Sequence, residues 1–365
     1  MFARIKHLSV LIVFATALFL GMVLNLVSAD QEYSEDERRR LKQFPVPSFE
    51  NITDGEYFQS LEAYSLDQFP YREAFRSVNA MTRLKLFNQT DVNGLYIIEE
   101  SVYRMRYPLN ESSIDHAGSL ISSIYADYLQ GMDVHFSIVP DKNYFVAEEH
   151  GYPHMDYGAL ETTLQDALKN MSYIPLFDKL DIDDYYRTDH HWRQERVVDV
   201  AEYFLESLDR EYPKQNPYEF HNHSPFRGSY YGHVAMPLEP DTLTYLTNDT
   251  IARSYARNPV DDTIRHVYQK SALKGVDSYD VFLGGAHPFT ELIDPKSDSD
   301  EELILFGDSY ANSLAPLLLE GYSKITFVDL RHVSPNILDQ YIDFSDQDVL
   351  FLYSTSILND SWMLD

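Results

Sequence analysis

The sequence predicts an α/β fold with a parallel sheet, and three observations carry that expectation. The last third, "ELILFGDSYANSLAPLLLEGY" followed by "KITFVDLRH" and "DVLFLYSTS", reads as strand, helix, strand, helix, strand, with the near-continuous apolar strands of a sheet buried on both faces. Upstream, "DVHFSIVPDKNYF" supplies another apolar strand from Val134 to Val139, stopped by Pro140 and Asp141. Between them Val197, Val200, Ala201, Phe204, Leu205 and Leu208 keep the spacing of an amphipathic helix. Strands alternating with helices point to α/β layering, and no internal repeat competes with that reading.

Composition narrows the function. The chain has 365 residues, room for one large domain or two modest ones, and with 44% apolar and 14% aromatic residues it is globular. Its 58 acids against 29 bases give a net charge of −29, which repels phosphate backbones and anionic headgroups and so disfavours nucleic-acid binding and electrostatic membrane docking. With no cysteine, thiol catalysis, thiolate zinc sites and disulfide frameworks are all excluded.

At the amino terminus Arg4, Lys6 and His7 precede an uncharged run from Leu8 to Ser28, long enough at helical rise to cross roughly 30 Å of hydrocarbon. Basic residues before it and Asp30 and Glu32 after it place the amino end in the cytoplasm and the remainder outside. Val27-Ser28-Ala29 resembles a cleavage site, but a secretory apolar region is usually about 7 to 15 residues, so an uncleaved anchor over 1–29 is expected, with secretion after cleavage at Ala29 as the alternative. Residues 30–55, charged and proline-punctuated, read as a stalk. Phe58, Leu61, Tyr64, Phe75, Val78, Met81 and Leu84 then predict two helices broken at Phe69-Pro70, and a further helix is expected near Gly158 to Asn170. The main domain is expected over 56–365, with an irregular, β-containing insertion at about 212–300 that covers or lines a cleft.

The chemistry concentrates in two places. Gly307, Asp308 and Ser309 lie between a buried strand and a helix, where a serine would stand at the carboxyl edge of the sheet beside free backbone N–H groups. Alone, Gly-Asp-Ser could equally be a turn with a helix cap. A nucleophilic serine needs a base, and the base an orienting carboxylate. "YYRTDHHWRQE" offers both: in extended backbone Asp189 and His191 project to one side, so Asp189 can hold Nδ1–H of His191 and leave Nε2 for Ser309, while His190 points elsewhere. A metal site on Asp-His-His lacks a convergent third ligand, and His221 and His223 sit in a polar loop, so no metal and no cofactor are expected.

Together these segments resemble the DHHW proteins, relatives of the SGNH-like acetyltransferases that O-acetylate alginate and other exopolysaccharides. The resemblance runs over most of the exported chain: "SLDQFPYREAF", "IVPDKNYF", "YYRTDHHW", "FRGSYY", "FLGGAHP", "FGDSYANSLAPLL" and "VDLRH" occur in order. It implies an SGNH-hydrolase-like sheet with flanking helices and a circularly permuted motif order, since the acid and histidine of SGNH hydrolases generally follow the serine. It further implies Ser309 as nucleophile, His191 as base and Asp189 as orienter. Arg331 is a candidate for substrate or oxyanion contact or for a salt bridge to Asp329, and Asn312 and Gly285 are candidates for the oxyanion hole. The implied function is an extracytoplasmic O-acetyltransferase acting on a cell-surface polysaccharide, supplied with acetyl groups by a multipass membrane acyltransferase. A carbohydrate esterase with the same triad, or a non-catalytic polysaccharide-binding component of an acetylation complex, are the alternatives.

Overall fold

The four apolar segments read as strands all enter one sheet. In the computed structural model, which describes residues 2–212 and 216–364, β1 (Leu95–Ile98) and β2 (Ser101–Arg104) form a hairpin, and β3 (Val134–Val139) and β4 (Ser172–Tyr173) begin the central sheet. A second hairpin, β5 (Glu219–Phe226) with β6 (Asp241–Thr247), precedes β7 (Tyr255–Asn258), β8 (Thr263–His266) and β9 (Phe289–Ile293). The sheet is completed by β10 (Glu302–Gly307), β11 (Lys324–Val328) and β12 (Asp348–Ser354), in the order β8-β7-β9-β11-β10-β12-β3-β4. From β11 to β4 every pairing is parallel, and β9, β7 and β8 are added antiparallel at the β11 edge. Part of the segment expected as an insertion therefore extends the sheet itself.

Strand alternation sorts the core into two layers. Leu303, Leu305, Ile325, Phe327, Leu350 and Leu352 pack on one face with α6 (Val198–Ser207) and α7 (Ser309–Leu318). Phe136, Ile138, Ile304, Phe306, Val349 and Phe351 pack on the other with α4 (Glu111–Ile124) and α5 (Tyr157–Ala167). Each fully buried side chain of this kind contributes about 1.5–3 kcal/mol. The expected second helix of the last third is only a short 3₁₀ segment, Pro335–Gln340, because "SPNILDQ" carries too few periodic apolar residues to cover the sheet.

Chain contacts divide the molecule into Met1–Val92 with Tyr231–Leu238, and Asn93–Tyr230 with Glu239–Asp365. The first unit contains α1 (Phe2–Val27), α2 (Glu56–Asp67) and α3 (Arg72–Met81). α1 holds a window, Lys6–Asn25, with mean hydropathy 2.3, long and apolar enough to cross a membrane. Residues 30–55 contain regular structure: Tyr33–Ser34 pairs with Arg39–Arg40, and Phe49–Thr53 is a helix capped by Ser48. The two helices form where periodicity put them, but Phe58, Phe75 and Val78 stay exposed.

In this unit Arg39 forms a bidentate pair with Asp67 at 2.8 and 2.6 Å. The pair holds the Asp67 carboxyl down at about 2, from an ordinary 3.8. A carboxylate lowered on folding adds stability above its unfolded value and loses it as pH falls. We predict that amide protection factors in the first unit, taken against the intrinsic exchange rate at each pH, fall between about pH 4 and pH 2. Asp67→Asn should remove that acid dependence and leave the unit less protected at neutral pH.

Candidate active site

Ser309 is positioned by the strand-to-helix junction. β10 ends at Gly307, Asp308 caps α7 by accepting from Tyr310 N–H at 3.0 Å, and Ser309 is the first helical residue. The other carboxylate oxygen of Asp308 accepts from Ser354 N–H at 2.9 Å, tying this junction to the end of β12. A side chain on Gly307 would collide with Ala311 and the Leu352 carbonyl, so the close turn requires glycine.

Residues 187–191 form a succession of bends, not the extended backbone expected from the sequence. Asp189 Oδ1 accepts from the N–H of His191 at 3.0 Å and from its Nδ1–H at 2.6 Å, a tight Asx turn that brings carboxylate and ring together. Asp189 Oδ2 accepts from Ser229 N–H at 2.6 Å. A buried carboxylate can only accept, so the proton sits on Nδ1 and Nε2 accepts from Ser309 Oγ–H at 2.7 Å. The structure thus brings Asp189, His191 and Ser309 into one chain of hydrogen bonds across 118 positions of sequence. Asp189 and His191 are buried, and Ser309 is partly exposed.

Because of the same bends, His190 does not point away. Its ring lies 3.7 Å from that of His191, and its Nδ1 meets Ser229 Oγ at 2.9 Å. Asp189, His190 and His191 could each offer a metal one atom within 4.8 Å of the others, but both ring nitrogens of His191 are already engaged. His221 bonds Thr247 Oγ1 at 2.7 Å and stacks on Tyr245.

The imidazole is braced on several sides. Tyr279 stacks flat on His191, centroids 3.8 Å apart at 7°, and its hydroxyl donates to Ser313 Oγ at 3.0 Å. Ser313 Oγ also accepts from the indole N–H of the buried Trp192 at 2.8 Å. Gln194 donates to the Ser313 carbonyl at 2.7 Å and accepts from Leu246 N–H at 2.8 Å. The loop is locked to α7 on one side and to β6 on the other.

The oxyanion candidates are partly committed elsewhere. Asn312 Nδ2 donates to the Gly285 carbonyl at 3.4 Å, and the Gly285 N–H closes a turn onto Phe282 at 3.2 Å. Tyr310 and Ala311 N–H groups are taken by Asp308, which leaves the N–H of Ser309 itself at the helix start. Arg331 forms a bidentate pair with the buried Asp329 at 2.8 and 2.6 Å.

Sequence reasoning missed Lys142, which was quoted only within a motif. Its buried Nζ lies 2.7 Å from the Val102 and Tyr186 carbonyls, 2.9 Å from Arg187 and 3.1 Å from Asp189. Burial pulls this ammonium down to about 7, while Asp241 and Asp189 pull the other way. Asp241 completes the fixation by accepting from Arg187 N–H, Thr188 N–H and the Thr188 hydroxyl. A signal was available: a lysine directly after a strand stop has no apolar place to go unless carbonyls surround it. Tyr279 and the Ser229 N–H left no such trace in the sequence.

We predict that Lys142→Met, which removes the Nζ–H donors facing the Val102, Tyr186, Arg187 and Asp189 carbonyls, of which Arg187 keeps the Val102 N–H, lowers unfolding free energy by roughly 3 kcal/mol in denaturant titration. Lys142→Arg should not restore it, because a planar fork cannot replace a compact donor inside that cage.

Residues 173–328 match the model of the family described as DHHW protein. A DHHW family protein from Eubacterium siraeum has a similar structure, with 19% identity over 73% of this chain and 93% of that one, and a TM-score of 0.59. Bacillus cereus PatB1 shares 18% identity over 72% and 96%, with a TM-score of 0.55. The same protein with a sulfonyl adduct gives 19% over 72% and 97%, with a TM-score of 0.56. No curated protein matches. The mixed α/β fold of these structures is similar to the one described above, and the family match over residues 173–328 spans the Asp189–Trp192 motif.

Proposed function

We propose that this protein is an extracytoplasmic O-acetyltransferase that passes acetyl groups to hydroxyls of a cell-surface polysaccharide. The observation that carries the reading is the 2.7 Å contact between Ser309 Oγ and His191 Nε2, backed by the 2.6 Å contact from Nδ1 to Asp189. The resemblance to SGNH-like acetyltransferases in motif order supports transfer over other acyl chemistry. That Bacillus cereus PatB1 has been solved with a sulfonyl adduct supports a covalent step on a nucleophile.

Ser309 Oγ attacks the acetyl carbonyl carbon as its proton moves to His191 Nε2, and Asp189 stabilises the imidazolium so formed. The Ser309 N–H, at the positive end of α7, faces the charge developing on the carbonyl oxygen. Collapse expels the donor's leaving group, which takes the proton from His191. A sugar hydroxyl then gives its proton to His191 as its oxygen bonds to the acetyl-serine carbonyl carbon; collapse breaks the bond to Ser309 Oγ, which takes the proton back from His191, and the sugar leaves as the ester. Water in place of the sugar would make the same site an esterase. In this reading residues 1–29 anchor the chain in the cytoplasmic membrane, 30–55 tether the domain on the outer side, and a multipass membrane acyltransferase supplies the acetyl group. Arg331, Asn312 and Gly285 belong to the surrounding substrate and oxyanion wall.

The test uses the full chain in detergent with an activated acetyl ester, with and without an acceptor oligosaccharide. Acetylated sugar by mass spectrometry is expected; free acetate alone would replace transferase by esterase. Ser309→Ala should lower turnover on the order of 10⁴-fold without changing thermal stability, and Asp189→Asn should do nearly the same. A sulfonyl fluoride should label the wild type and not Ser309→Ala. Polymer acetylation that persists in cells carrying Ser309→Ala would defeat the catalytic assignment and favour a binding role.

A further inference from the structure

The first unit is built inside out. On α3 the charged residues turn inward: Arg72 donates to Glu37 at 2.6 Å, Arg76 lies 3.1 Å from Glu37, and Arg76 also donates to the Gly232 carbonyl at 2.6 Å. The apolar residues at helical spacing on the same segment stay exposed, Tyr71 at 75%, Phe75 at 60% and Val78 at 55%. A helix folded for water alone would bury that stripe and solvate the arginines. Exposed apolar surface of this size, with its polar side satisfied internally, marks a surface made for a non-aqueous neighbour.

The position of this surface is fixed by the end of α1. Between α2 and α3 the backbone turns at Gln68-Phe69-Pro70-Tyr71, and the turn is stapled to the residues leaving α1. Asn25 Nδ2 donates to the Gln68 carbonyl at 3.4 Å, and Tyr64 donates to Asp30 at 2.8 Å. The nearly buried Gln68 side chain accepts from Gln31 N–H at 2.9 Å and donates to the Gln31 and Lys42 carbonyls at 2.9 and 3.0 Å. The apolar window of α1 ends at Asn25, so once α1 spans a bilayer this turn sits at its outer rim. The turn carries aromatics, the residue class that partitions to that depth. Phe69, 41% exposed, meets Phe75 edge to face at 5.5 Å. Tyr71 occupies the left-handed region at φ 58°, a conformation costing about 1 kcal/mol or more for a non-glycine residue.

We propose that Phe69, Tyr71 and Phe75 form an interfacial docking surface for the outer leaflet of the bilayer that α1 crosses, seated at the boundary between headgroups and acyl chains. The occupant is lipid because the surface is tied to the exit of the membrane helix in the same chain and offers aromatic rings, with the nearby arginines already paired. The consequence is that the unit lies against the membrane and does not swing freely on a stalk. This inference depends on α1 spanning the membrane and not on acetyl transfer.

The absence of cysteine makes the test direct. Full-length Tyr71→Cys and Phe75→Cys, each carrying an environment-sensitive thiol fluorophore, are reconstituted in vesicles of phosphatidylethanolamine and phosphatidylglycerol. Two quenchers are compared: lipids brominated near the headgroup, and aqueous iodide. Both labels should be quenched by the brominated lipid and show a several-fold lower iodide quenching constant than a label at Lys42→Cys. Free access by iodide overturns the proposal. So does shielding from iodide without lipid quenching, which would mean that protein covers the surface. Gly21→Cys reports α1 itself: quenching there without quenching at 71 and 75 overturns docking alone, and no lipid quenching at any site overturns the membrane span as well.

Discussion

The buried ammonium of Lys142 is the constraint on which the loop carrying Asp189 and His191 depends. Residues 187–191 bend and lie outside any regular ladder; the Arg187 carbonyl accepts from Val102 N–H of β2 at 2.8 Å and that of Thr188 from Tyr230 N–H at 3.0 Å, and buried unpaired carbonyls are costly. One lysine, reaching from just past the end of β3, collects the carbonyls of Tyr186, Arg187 and Asp189 together with that of Val102. The rings of Tyr103 and Tyr230 lie 4.9 and 5.8 Å from the same nitrogen. Its neighbour Asp141 is held by Thr355 at 2.6 Å and by Tyr157, so the loop is referenced to the ends of both β3 and β12. Apolar packing could bury this loop, but only directional bonds fix its carboxylate within reach of a ring on the same turn.

The site divides its work between two kinds of scaffold. Ser309 is set by the sheet edge, whereas His191 arrives on an irregular segment stiffened by polar contacts. Trp192 joins the two, with its indole buried in the core above the sheet and its N–H on Ser313 of the same helix that begins with Ser309. Ser313 in turn receives Tyr279 and gives its carbonyl to Gln194, so hydrogen bonds tie the loop, the helix and the β6 hairpin together.

What the sequence revealed follows from the range of each signal. β3, β10, β11 and β12 were legible because burial on both faces leaves an unbroken apolar run, and α6 because its stripe is local. Asp189, His191 and Ser309 could be singled out by residue chemistry and by resemblance, although the bends that join the first two were not foreseen. The antiparallel additions β7, β8 and β9 were read as an insertion because short mixed strands such as Thr263–His266 carry no clear period. In α2 and α3 periodicity found the helices and failed to say which side faces out, since Phe75 and Val78 look the same in a sequence whether they meet a core or not. Lys142, Ser229 and Tyr279 act through carbonyls, a backbone N–H and a ring face, none of which has a spacing pattern.

In the proposed reaction, the flat stack of Tyr279 on His191 would matter most at the moment the imidazole is charged. A neutral ring gains little beyond dispersion from a parallel phenol, but an imidazolium over the electron-rich face of tyrosine is a cation–π pair. On that proposal the attraction would switch on only once the serine proton had arrived, while the hydroxyl of Tyr279, tethered to Ser313, keeps the face from rotating away. The stack would then favour the charged intermediate of the proposed reaction over the resting state, a differential contribution that a carboxylate already bonded in both states supplies less selectively.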